Sequence, residues 1–120
     1  MKLTDIFPSS LDWAAGKLLE AAYMPAATPP ALASIASISQ AMAVYQQALA
    51  KRGIILADSE MFSDTYRLLN YALDTLDRHY HAQADGTGTS LDADAAYIFA
   101  RFIRAELPTL RESASDYDRS

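Results

Sequence analysis

Residues 62–80 read FSDTYRLLNYALDTLDRHY, and this stretch decides the fold. Its large apolar side chains recur at alternating steps of four and three residues. They are Phe62, Tyr66, Leu69, Leu73, Leu76 and Tyr80. This spacing places them on one stripe of an α-helix and is close to a heptad repeat. We therefore predict a long amphipathic helix, the third of the chain, over about residues 59–82.

The preceding segment predicts a second long helix with an unusual outer face. Residues 21–50 carry no charged side chain, whereas Lys51 suits the end of a helix. Pro29 fits a first helical turn, and Gly53 can take the left-handed conformation that closes the helix. We expect this helix over about residues 29–52.

Two further helices complete the expected architecture. One is predicted over about 10–24, and another begins near Leu91 and is ended or kinked by Pro108. The connections are short, and no strand pattern alternates convincingly. The chain is therefore predicted to be all-α, an antiparallel four-helix bundle-like single domain over 1–112 with a flexible C-terminal tail at 113–120.

Composition excludes several classes of function. The 120 residues include no cysteine, so disulfide scaffolds and cysteine-ligated zinc modules are excluded. A formal charge of −5 disfavours binding to nucleic acid or to an anionic membrane. Serine, glutamine and proline interrupt the uncharged stretch, which argues against a membrane span. The amino terminus lacks the pattern of an export signal, and we expect a cytoplasmic protein.

The uncharged second helix suggests an interface. Its outer face is alanine, serine and glutamine, whereas an exposed helix normally carries charges there. Such a helix is either central in the bundle or covered by another subunit, unless alanine is present only for its helix propensity. Ala33, Ser37 and Ala41 are small and spaced four apart, so a second helix can approach closely along them.

Exposed aromatic residues add to this interpretation. Tyrosine and tryptophan are enriched at protein interfaces, and Tyr71 and Tyr97 lie off the predicted core stripes. We therefore expect a non-enzymatic protein–protein interaction module with no cofactor. It either self-associates as a homo-oligomer or binds a basic protein, in an adaptor, inhibitor or immunity-type role.

Two alternatives involve ligands. Asp74, Asp77 and His81 share one face of the third helix at metal-ligand spacing, which would suit a metal-dependent helical enzyme or a small-ligand-binding protein. The same spacing also suits ordinary ion pairs along a solvated helix. A small-molecule pocket between helices, lined by Trp13, Phe99 and Phe102, is the other alternative.

Overall fold

Four α-helices make up the chain over residues 2–54, 63–87 and 91–119, the parts that the computed structural model describes. They are α1 (Ser10–Ala21), α2 (Thr28–Lys51), α3 (Ser63–Asp85) and α4 (Ala93–Arg119). Short 3₁₀ helices at Leu3–Ile6 and Pro25–Ala27 precede α1 and α2. The all-α fold class is confirmed. The predicted start of the third helix near residue 59, with Phe62, lies outside the described residues.

The helices pack in chain order around a closed ring, with α4 returning against α1. The hydroxyl of Tyr66, early in α3, donates to the carbonyl oxygen of Met42, late in α2, at 3.2 Å. At the other end, Thr28 Oγ1 lies 3.2 Å from Gln83 Oε1. These two contacts show that α2 and α3 run antiparallel, as predicted for a bundle with short connections.

The core forms where the apolar stripes of the helices meet. In α3 the residues at the four-three spacing are buried, with Leu69, Leu76 and Tyr80 fully enclosed. In α2 the buried stripe runs through Ile38 and Tyr45. Because the large apolar residues at helical spacing fall on one stripe of each helix, the periodicity indicates which side turns inward.

Glycines close two of the helices. Gly53 has a φ of 81°, and the Ile54 N–H donates to the Leu49 carbonyl at 3.0 Å. Gly86 repeats the arrangement after α3, with a φ of 71°. These bonds satisfy carbonyl groups that the last helical turn leaves unpaired, and the positive φ favours glycine. The predicted closing role of Gly53 is confirmed.

The fourth helix is longer than the sequence predicts. It continues through Pro108 to Arg119, so residues 113–119 are helical where a flexible tail is expected. Pro108 and Arg104, the residue four positions earlier, are both exposed, so the proline ring and its missing hydrogen bond lie on the solvent side. On the opposite side Leu110 and Ala114 are buried and extend the apolar stripe.

Contacts with the amino-terminal segment hold the end of α4. The backbone N–H groups of Leu3 and Thr4 donate to the two carboxylate oxygens of Asp118 at 2.9 and 3.0 Å. About two helical turns earlier, Arg111 donates from Nε to the carbonyl of Phe7 at 2.7 Å and from Nη2 to the carboxylate of Asp12 at 3.0 Å. The two ends of the chain are therefore joined by charge-assisted hydrogen bonds.

Hydrogen bonds from the Thr4 hydroxyl and from the backbone N–H groups lower the pKa of Asp118 to about 2, from 3.8. A depressed carboxylate pKa stabilises the fold above the unfolded pKa, and this contribution is lost as pH falls toward the folded pKa. We expect Asp118→Ala to lower the melting temperature at neutral pH. Its difference from the wild type should shrink as pH is lowered from about 4 toward 2.

The matched control is Asp116→Ala, because Asp116 is exposed and pairs with Arg119 one turn away. Thermal unfolding of the three proteins across this pH range checks the prediction. Equal losses for both variants, or a difference that does not change with pH, would contradict the role given to Asp118.

Candidate interaction surface

The outer side of α2 is open to solvent and carries no ionisable group between Pro29 and Ala50. We call this surface the α2 face. Its exposed residues are Pro29, Pro30, Ala33, Ala36, Ser37, Ser39, Gln40, Ala43, Gln46, Gln47 and Ala50. Because this side is exposed in the single chain, α2 is not a central helix enclosed by the other three.

Two of the three small residues predicted as one ridge lie on this face. Ala33 and Ser37 are exposed, whereas Ala41 is only 8% exposed and belongs to the core. Ala41 does not share the open face with Ala33, and the reason is geometric. Each step of four residues advances about 40° beyond a full turn, so two steps rotate Ala41 about 80° from Ala33 and toward the core.

A groove between α1 and α2 borders one side of the face. Its volume is about 350 Å³, and Trp13 and Lys17 of α1 line it together with Ala33 and Ser37 of α2. The Trp13 side chain is 68% exposed, although it is the largest apolar side chain of the protein. Lys17 Nζ lies 5.0 Å from the centroid of the Trp13 ring, close enough for a cation–π contact.

A second groove, between α2 and α3, borders the other side. Its volume is about 430 Å³, and Ala36 and Ser39 of α2 form one wall. Asn70, Asp74 and Asp77 line the opposite wall on α3. The α2 face therefore lies between two rims. The α1 rim carries the protruding indole and the Lys17–Glu20 ion pair, and the α3 rim carries Asp74 and Asp77.

The residues of the metal alternative are engaged in pairs. Asp74 lies 3.0 Å from Arg78, and Asp77 lies 3.3 Å from His81 Nε2. In the part of the chain that the structure describes, no three His, Asp or Glu side chains group closely enough to hold an ion. Asp74 and Asp77 share the α2/α3 groove, but the structure does not gather them with His81 as a ligand set.

The two tyrosines predicted at an interface lie elsewhere. Tyr71 on α3 is 60% exposed, and its ring centroid is 6.1 Å from that of Phe99 on α4. Tyr97 is half-buried, with its ring 5.6 Å from that of Tyr23. The structure therefore does not bring them together with Ala33 and Ser37.

The proposed ligand pocket is also divided. Trp13 lines the α1/α2 groove, whereas Phe99 packs against Tyr71 on α3. The exposed position of Trp13 could have been predicted from the spacing of apolar residues in α1. Leu11, Ala14 and Leu18 form the buried stripe of α1, and Trp13 falls off it.

His79 has a core role. It is 6% exposed, and its ring packs edge-on against Tyr80 with centroids 4.8 Å apart. Burial lowers the pKa of His79, which favours the neutral imidazole. Its neighbour His81, in contrast, is exposed.

Within residues 2–54, 63–87 and 91–119, every helix falls short of the combined length and apolar character that crossing a bilayer requires. Comparisons with protein-family models, with curated proteins and with solved structures find no match.

Proposed function

We propose that this protein is a non-enzymatic helical interaction module that binds protein through the α2 face. The observation that carries the proposal is an exposed face spanning Pro29 to Ala50 without a single ionisable side chain. Exposed helix faces ordinarily carry charges. Covering this face therefore requires no desolvation of an ion, which is the main cost of burying a charged surface.

The flanking grooves support the same proposal. Protein interfaces are depleted of charge at their centre and have a polar, charged rim. Here the uncharged α2 face forms the centre, and Lys17 and Asp77 stand at its two sides. An exposed tryptophan is also the residue type most often found to dominate binding energy.

A photo-reactive amino acid placed at Ser37 tests this function in cells that make the protein. We expect a discrete cross-linked product of defined mass, because Ser37 is exposed at the centre of the α2 face. Adding Ala33→Glu should abolish the product, because it forces a charge into the covered surface.

The control position is Thr109, which is exposed on α4, the helix that packs against α1 and α3. Equal product from Ser37 and Thr109, or product from Ser37 that Ala33→Glu leaves unchanged, would contradict binding through the α2 face.

A further inference from the structure

We infer that the α2 face is covered by a second copy of this chain, with Trp13 of each copy seated in the α2/α3 groove of the other. The two copies are related by a two-fold axis parallel to α2. This inference rests on the proposed function and names its partner.

The indole and the groove lie at the same height along α2. Trp13 shares its groove with Ala33 and Ser37, and the opposite groove includes Ala36 and Ser39. These α2 residues fall within two helical turns of one another. Because α1 and α3 flank α2 on opposite sides, the protruding indole and the receiving groove are separated by the width of the α2 face.

Only one orientation of the two-fold axis brings each Trp13 opposite an α2/α3 groove. A two-fold axis parallel to α2 places α1 of one copy over α3 of the other, so each Trp13 faces an α2/α3 groove and the contact forms twice. An axis perpendicular to α2 instead places each α2/α3 groove opposite its own counterpart. The groove is open to solvent, and its volume of about 430 Å³ leaves room for an indole ring.

The charges of the two rims match in the same arrangement. Lys17 follows Trp13 by one helical turn on the α1 rim, where it also lies 3.3 Å from Glu20. Asp74 and Asp77 line the α2/α3 groove, with Arg78 and His81 as their partners on α3. With α1 over the partner's α3, each lysine faces the two carboxylates of the other copy. Such rim charges fix the register of an interface more than they raise its affinity.

The area of the α2 face suits a second copy as the occupant. A helix of 24 residues is about 36 Å long, and the molecule is 26 × 20 Å across. The α2 face with both rims is therefore on the order of the 800 Å² per partner of a standard interface. Each copy carries −5 overall, so repulsion is least where the uncharged faces meet.

Light scattering and sedimentation equilibrium of the purified full chain across a concentration series test the inference. We expect a dimer, and we expect Trp13→Ala to raise its dissociation constant roughly 30-fold, the effect of losing an interface hot spot. The control Tyr71→Ala removes another exposed aromatic side chain, away from this face, and should leave the constant unchanged. Circular dichroism confirms that each variant is folded.

Charge reversal gives a second readout that a folding defect cannot imitate. Lys17→Asp alone, and Asp74→Lys with Asp77→Lys, should each weaken the dimer through like-charge contacts. Combining all three substitutions should restore it. A combination no tighter than its parts, or an unchanged constant for Trp13→Ala, would overturn the arrangement.

Different results would overturn the second copy as the partner and protein binding through the α2 face. A wild-type chain that stays monomeric to high micromolar concentration, while Ser37 still cross-links to a different polypeptide, overturns the second copy and leaves the proposed function intact. Absence of any cross-link specific to Ser37 overturns both.

Discussion

Replacing Leu69 with alanine is expected to lower the free energy of unfolding by about 2–5 kcal/mol. Leu69 is fully buried in the apolar stripe of α3, where α3 packs against both α2 and α4. The substitution removes the apolar contacts and leaves a cavity that surrounding helices fill only in part. Urea unfolding followed by circular dichroism measures the effect.

Leu68 provides a matched control of the same residue type on the same helix. It is 53% exposed, and Leu68→Ala is expected to change the free energy of unfolding by about 0.5 kcal/mol or less. Both variants are compared at one protein concentration, because self-association would add to apparent stability. Similar losses for the two leucines would mean that the assigned inward face of α3 is wrong.

The contrast between these neighbours shows why the fold is predictable from the sequence. Steps of four and three residues keep Leu69 and Leu76 on one side of a helix, and the intervening polar residues turn outward. Gly53 likewise predicts a helix end, because glycine readily adopts the positive φ that closes a helix. Both inferences use information that lies within a few residues of the position concerned.

Features that depend on distant partners are not predictable in this way. Asp118 lies in a small, polar stretch that is typical of a mobile terminus, and its hydrogen-bond partners, Leu3 and Thr4, are 115 and 114 positions away in the chain. Ala41 matches Ala33 in residue type, but it is rotated about 80° around α2, and the position of the neighbouring helices determines that this rotation covers it.

The candidate surface is predictable from the sequence only in part, because it combines a local pattern with contacts between distant helices. The absence of charge along residues 21–50 is visible in the sequence, and Ala33 and Ser37 within it are exposed. The grooves on either side are not visible, because they depend on which helices flank α2. Tyr71 and Tyr97 satisfy the compositional rule for an interface but lie on other sides of the bundle.

Ending the chain after Glu112 is expected to lower the free energy of unfolding by roughly 2–4 kcal/mol, whereas removal of a flexible tail would leave it unchanged. The truncation removes Ala114, which is fully buried, and the half-buried ring of Tyr117. That ring also lies 5.3 Å from the guanidinium carbon of Arg52, at the end of α2. Urea unfolding of the truncated and full chains checks the prediction.

A full-length chain with both Asp116→Ala and Arg119→Ala is the control, because it loses an exposed ion pair while keeping the buried contacts. Comparison with Asp118→Ala then separates the stability that comes from the Asp118 hydrogen bonds from the stability that comes from burying Ala114 and Tyr117. A truncation that costs no more than Asp118→Ala would mean that the carboxylate anchor alone holds this segment. A larger cost for the truncation would assign the excess to the burial of Ala114 and Tyr117, and would place the end of the folded domain beyond residue 112.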